Sequence, residues 1–163
     1  MSYQNLDNEE ILSLAISAID QNNHLEAISL LKTLLERDPN HVFANYLLAA
    51  EHAQIGMVDR AEAGFARTLA LAPEFNIARF QLGQIYLVKG DISAAKIALE
   101  PLTRSADQNQ ELSYYAKGLL ALTDNNTGMA IAELQSGLAC QHEIPALATD
   151  MQRIVDNLIG IKS

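Results

Sequence analysis

The side chains best suited to chemistry in this sequence are one cysteine and four histidines. The histidines lie in four different predicted elements, and none has the spacing of a metal-binding motif: His24, His41, His52 and His142. Cys140 is interpreted as a small apolar residue near the end of a helix. The sequence also lacks a glycine-rich phosphate loop, a Gly-x-Ser-x-Gly turn and a Cys-x-x-Cys pair. We therefore predict no catalytic residue, no metal, no cofactor and no enzyme activity.

The polar residues have simpler expected roles. His24, His41 and His142 fall in predicted turns, where we expect them to be solvated. The aspartates and glutamates are spread thinly along the chain. We therefore expect a solvated acidic surface rather than an acid–base pair.

Composition and charge narrow the class of partner. The chain has 163 residues, 49% of them apolar, which suits one globular domain with a sizeable core. Its net charge is −9, and its 11 lysines and arginines are scattered, so no basic face is available for nucleic acid or an anionic membrane surface. A protein or peptide partner of apolar or basic character fits this charge better.

The sequence also indicates a compartment. No apolar run approaches the roughly 18 residues of a membrane span. The first ten residues are polar and acidic, without the basic and apolar regions of a signal peptide. A single cysteine allows no disulfide within one chain. These features predict a cytoplasmic protein with no membrane insertion.

The elements that would position any site follow a repeat of 34 residues. Small residues recur at this spacing, and a large apolar residue follows each of them by four positions: Ala27, Ala61 and Ala95, followed by Leu31, Phe65 and Leu99. Gly56 and Gly90 recur at the same spacing in predicted turns. A fourth copy, one residue longer, contains Gly118, Ala130 and Leu134.

These motifs resemble those of the tetratricopeptide repeat family. They are clearest in the third copy, where Leu82-Gly83 precedes Tyr86, Ala95 and Leu99. The resemblance implies an all-α fold, a right-handed superhelix (α-solenoid) of about four antiparallel helix pairs plus a C-terminal capping helix. Within this pattern His52 takes an aromatic position of the first helix, so it is interpreted as a packed ring.

We predict a single tetratricopeptide repeat domain over residues 1–163. Its expected parts are repeats at about 8–41, 42–75, 76–109 and 111–143 and a capping helix at about 145–160. Asp7 and Glu10 resemble a capping box at the first helix. Pro101 falls inside the second helix of the third repeat, where a kink or an early end is expected. Ser105–Asn109 is predicted to be a polar connector.

The resemblance also implies where a ligand would bind, because in this family the first helix of each repeat lines the concave face. The corresponding positions are mostly apolar and include three aromatic rings at adjacent heights: Leu12, Ile16, Phe43, Tyr46, Ile77, Phe80, Gln84, Leu87, Tyr115 and Leu119. Such a groove predicts a non-enzymatic protein–protein interaction module that holds an apolar peptide or an amphipathic helix. A chaperone-like role fits this interpretation.

Two alternatives stay open at this point. The groove could be filled by the C-terminal helix or by residues 1–7, or it could be shared between two molecules as a homodimer. In the second case the protein would be an assembly scaffold or self-associating subunit.

Some family members clamp a C-terminal carboxylate with Lys, Asn and Arg. Here the matching positions hold other side chains, so no such clamp is expected: Leu12, Ile16, Leu47, Ile77 and Gln81.

Overall fold

The structure is a computed structural model that describes residues 3–104 and 110–162, with side chains as far as residue 160. Within these ranges all regular structure is helical, so the predicted all-α fold is confirmed. The helices follow in this order: α1 (Asn8–Asp20), α2 (His24–Arg37), α3 (Val42–Gln54), α4 (Val58–Leu71), α5 (Asn76–Lys89), α6 (Ile92–Leu99), α7 (Gln110–Thr123), α8 (Thr127–Leu138) and α9 (Pro145–Lys162). The predicted connector Ser105–Asn109 lies outside the described residues.

The chain divides into two compact units. Unit 1 ends at Ile85 and contains α1 to α4 and most of α5. Unit 2 begins at Tyr86 and contains the end of α5 and the helices that follow. The single domain and the superhelix stay predictions.

Unit 1 forms because its helices each carry one apolar face. Ile11 and Ala15 of α1 are buried against a leucine-rich face of α2 that includes Leu31 and Leu34. The side chain of Asp7 accepts the backbone N–H of Glu10 at 2.8 Å, which satisfies one of the free donors at the start of α1. The predicted start of the first helix is therefore confirmed.

The turns inside the helix pairs share one backbone feature. Gly56 and Gly90 have φ values of 80° and 79°, in the left-handed region where a side chain is disfavoured. Asn22 and Asn125 reach the same region, each with φ of 58°. The two glycine turns were predicted from their spacing, whereas the two asparagines show that the turn does not require glycine.

Small residues let the paired helices approach closely. The predicted small positions are fully buried: Ala27, Ala61, Ala95 and Ala130. A Cβ atom added at Gly64 would lie 2.7 Å from the Cβ of Ala49, closer than packed carbons can come. Any larger residue at such a position would push α3 and α4 apart.

Unit 2 contains the irregular part of the chain. Helix α6 ends at Leu99. It is followed by a 3₁₀ helix, Glu100–Arg104, which contains Pro101. The early end predicted from Pro101 is confirmed, because proline cannot donate the helical hydrogen bond.

Helices α7 and α8 then form a closely packed pair, and α9 packs against α8. Helix α9 begins at Pro145, as predicted. On its inner side Leu147, Met151 and Val155 are buried.

Candidate functional site

Four aromatic rings form a cluster in unit 1. Tyr46 lies at its centre, with its ring centroid 4.9 Å from that of Phe75 and 6.0 Å from that of Phe65. Phe43 stacks on Tyr46 with an interplanar angle of 13°. Burial raises the pKa of Tyr46 to about 12, so its hydroxyl stays neutral. Phe43 lies one helical turn before Tyr46, and the centroids of the two rings are 6.2 Å apart.

The predicted groove residues differ widely in exposure. Ile16 and Phe43 are 37% and 39% exposed. Four others are partly buried: Leu12, Ile77, Gln84 and Leu87. The remaining four are buried: Tyr46, Phe80, Tyr115 and Leu119. The groove as a whole stays a prediction, and its exposed members are the ones that a ligand can reach in this conformation.

We expected His24 to be a solvated turn residue, and this expectation is wrong. It begins α2, and its Nδ1 lies 2.6 Å from Oε2 of Glu51 on α3. Glu51 is only 3% exposed, so its carboxylate is not part of a solvated surface either. The contact joins the second helix of one pair to the first helix of the next.

The same chemistry recurs in unit 2. Nδ1 of His142, in the segment between α8 and α9, lies 2.7 Å from Oε2 of Glu111 in the first turn of α7. Glu111 is 5% exposed. His142 lies between helices and is exposed, as predicted, whereas the prediction of a solvated acidic surface is wrong for Glu111, because its carboxylate is buried against the imidazole of His142.

A sequence signal for these carboxylates exists. Glu51 falls seven residues after buried Ala44, and Glu111 falls seven residues before buried Gly118. This spacing is two helical turns, so each glutamate lies on the buried face of its helix. A carboxylate on such a face requires a partner.

The other two histidines have local roles. His41 was expected to be solvated, but its Nδ1 accepts the backbone N–H of Ala44 at 3.1 Å and caps α3. His52 is a packed ring, as predicted, and is 5% exposed. Burial lowers the pKa of His52, and the nearby positive charges of Lys32 and Arg60 lower it further. In the described part of the chain its Nε2 makes no hydrogen bond.

Unit 2 contains a cavity of about 540 Å³ beside α9. Its lining comes from the end of α8, the segment that follows it, and one face of α9: Leu138, His142, Ala148, Thr149, Gln152, Arg153 and Asp156. The cavity is largely open to solvent. His142 connects this cavity to the buried carboxylate of Glu111.

Within residues 3–104 and 110–162, no group of three metal-ligating side chains comes together. No helix in these ranges is long and apolar enough to cross a membrane.

The architecture defines a helical-repeat protein built from successive helix pairs. Residues 18–76 match the model of a family described as tetratricopeptide repeat, which confirms the resemblance inferred from the sequence. A comparison with curated protein sequences gave no match. Proteins with such repeats typically bind other proteins.

Solved structures with a similar fold include MamA, which is 24% identical with a TM-score of 0.68 over 81% of this chain and 77% of that chain. A thermophilic TPR protein of Thermus thermophilus is 18% identical, with a TM-score of 0.69 over 94% and 82% of the two chains. PilW, described as a type IV pilus biogenesis factor, is 16% identical with a TM-score of 0.69 over 93% and 71%. At these identities the likeness shows the fold alone.

Proposed function

We propose that unit 1 binds an apolar peptide or an amphipathic helix of a partner protein, with Phe43 as its anchor. The observation that carries this proposal is an aromatic ring that is 39% exposed and held by stacking on buried Tyr46. A ring fixed before binding loses little conformational freedom when a partner covers it. Such aromatic side chains are common hot spots of protein interfaces.

Other partly exposed apolar side chains of unit 1 support an apolar contact surface. On α1, Leu12 and Ile16 are one helical turn apart, and both keep part of their surface exposed. Ile77, at the start of α5, occupies the register position of Phe43 one repeat later. Burying side chains of this kind releases roughly 25 cal/mol for each Å² removed from water.

Charge favours a basic partner. Helix α1 carries Glu9 and Glu10 in its first turn and Asp20 at its end, and it contains no basic residue. An apolar partner helix flanked by lysine or arginine would therefore meet opposite charge at both ends of α1. The resulting attraction would weaken with salt, since exposed charges are screened.

The test is a binding titration of the full chain with a labelled amphipathic peptide of about 18 residues made of leucine and lysine. We expect Phe43→Ala to weaken binding about thirtyfold, the equivalent of a hot-spot contribution of roughly 2 kcal/mol. Leu25→Ala is the matched control, because Leu25 is an exposed apolar residue on another helix of unit 1. Equal affinity of Phe43→Ala and the original chain would refute the proposal.

Self-association is the second candidate function, and two side chains of unit 2 favour it. Val88 and Ile97 are 74% and 75% exposed, so both side chains are accessible to a second copy of the chain. Light scattering over a concentration series would reveal a dimer, and Ile97→Glu should dissociate it. A mass of 17.8 kDa at every concentration would exclude this function.

A further inference from the structure

A turn at residues 3–6, here called the entry turn, leads into α1 of unit 1. The backbone N–H of Leu6 closes this turn by donating to the carbonyl of Tyr3 at 3.1 Å. The side chains of Tyr3 and Leu6 are partly buried, and they pack against the buried cluster that joins α1 to α2 and α3. The entry turn therefore belongs to the core of unit 1.

Arg37, the last residue of α2, holds both ends of the entry turn. Its Nη1 donates to the carbonyl of Leu6 at 2.6 Å, and its Nη2 donates to the carbonyl of Tyr3 at 3.0 Å. The planar guanidinium presents its N–H groups in a fixed fork, so one side chain engages two acceptors at once. These two hydrogen bonds connect the start of α1 to the end of α2.

Helix α1 has little else of this kind to fix its position. Within residues 3–104 and 110–162, no side chain of α1 forms a hydrogen bond or an ion pair with another helix. It meets α2 through apolar residues such as Ile11 and Ala15. Apolar contacts are non-directional, whereas hydrogen bonds require defined distances and angles. The hydrogen bonds of Arg37 therefore determine where α1 starts relative to the end of α2.

Helix α1 carries two side chains of the apolar contact surface proposed for unit 1. Leu12 packs against the same buried cluster as the entry turn and is partly exposed, and Ile16 is 37% exposed. We propose that Arg37 is a positioning residue for peptide binding, which acts through the entry turn to hold Leu12 and Ile16 where the partner contacts them. This inference rests on the proposed function of unit 1.

The first test is a titration of the full chain with the leucine–lysine peptide. Arg37→Ala should weaken binding about fivefold, because the partner must then order α1 as it binds. General electrostatics predicts the opposite sign, since removing a positive charge from the protein strengthens its attraction to a basic peptide. Lys32→Ala is the matched control, because Lys32 is an exposed cation of the same helix. If Arg37→Ala binds as tightly as Lys32→Ala, the proposal is wrong.

A second variant, Arg37→Lys, separates the fork from the charge. Lysine keeps the positive charge, but its single ammonium cannot reproduce the planar geometry that engages two carbonyls. We expect Arg37→Lys to bind the peptide at least about threefold more weakly than the original chain. Full affinity in this variant would overturn the proposal, because the charge alone would then be sufficient.

A double-mutant cycle with Leu12→Ala identifies the route of the effect. If Arg37 acts through α1, then Arg37→Ala should cost less affinity in a chain that already lacks the Leu12 side chain. Additive losses would contradict the proposal, because Arg37 would then act independently of the α1 contact.

Two further measurements separate this inference from the proposed function. If Phe43→Ala weakens peptide binding and Arg37→Ala does not, unit 1 binds the peptide and only the positioning role fails. Hydrogen exchange of the free chain tests the hold on α1 without any ligand. The amides of α1 should exchange faster in Arg37→Ala than in Lys32→Ala, and equal exchange would overturn the proposal whether or not the peptide binds.

Discussion

The two histidine–glutamate contacts have nearly the same length but different electrostatic surroundings. Glu51 lies in the last turn of α3, near the negative end of the helix dipole. Glu111 lies in the first turn of α7, near the positive end, where a carboxylate is favoured. The contact at Glu51 is therefore required to keep a carboxylate buried, whereas the contact at Glu111 adds to a site that already suits negative charge.

The two histidines also differ in the part of the fold that positions them. His24 is part of α2, which packs directly against α3. His142 belongs to the segment between α8 and α9, outside any helix. In unit 1 the contact therefore adds to helix packing, whereas in unit 2 it also fixes a side chain that lines the cavity.

The largest expected effect is that of His24→Ala. Removing the imidazole leaves the carboxylate of Glu51 buried without a partner, at the unfavourable end of α3. We expect the free energy of unfolding of unit 1 to fall by about 2 kcal/mol. Hydrogen exchange of the amides in α2 and α3 measures it, because it reports the stability of each unit separately.

Glu51→Gln in the same background is the control for that explanation. A neutral amide costs less to bury than an unpaired carboxylate, so the double variant should recover about half of the lost stability. No recovery would mean that the loss came from packing of the imidazole rather than from the buried charge.

A smaller effect is expected for His142→Ala. The dipole of α7 continues to stabilise Glu111, so we expect a loss of about 1 kcal/mol in unit 2. Lys96→Ala removes an exposed ion pair to Asp124 and is the control, with an expected change below about 0.5 kcal/mol. If His142→Ala costs as much as His24→Ala, the proposed role of helix position is wrong.

The smallest effect is the pH dependence contributed by His52, a buried imidazole with no hydrogen bond to a carboxylate among the described residues. Its pKa is lowered in the folded state, so the unfolded chain takes up the proton first as the pH falls below about 6.5. Its contribution to stability is therefore complete above that pH and is lost as the pH falls towards the folded value.

The variant His52→Phe isolates this contribution. We expect it to reduce the loss of stability between pH 7 and pH 5 by less than about 1 kcal/mol. Urea unfolding of the full chain at both pH values provides the measurement. An unchanged pH dependence would show that other groups cause it.

The sequence was sufficient to predict the helices, because the pattern that identifies each helix depends on local residue spacing. Ala27 and Ala61 predicted two close helix approaches, and Pro101 predicted the end of α6, without any knowledge of distant contacts. The left-handed backbone at Asn22 and Asn125 was not predicted, because asparagine adopts that region less often than glycine.

The site was less predictable because its contacts join distant positions. Glu111 precedes His142 by 31 residues, and Glu51 follows His24 by 27. No single spacing identifies both pairs, and the burial of each glutamate follows from its helix phase only once the core is known. The exposure of Phe43 next to buried Tyr46 likewise depends on Phe65 and Phe75, which come from later elements.

The left-handed turns have a consequence for how such a chain can diverge in evolution. Because Asn22 and Gly56 reach the same backbone region in corresponding turns, the turn requires a backbone conformation rather than one residue type. Exchange of glycine and asparagine at these positions should be nearly neutral. Successive repeats can therefore lose their visible similarity at the turns while the helices they connect keep their arrangement.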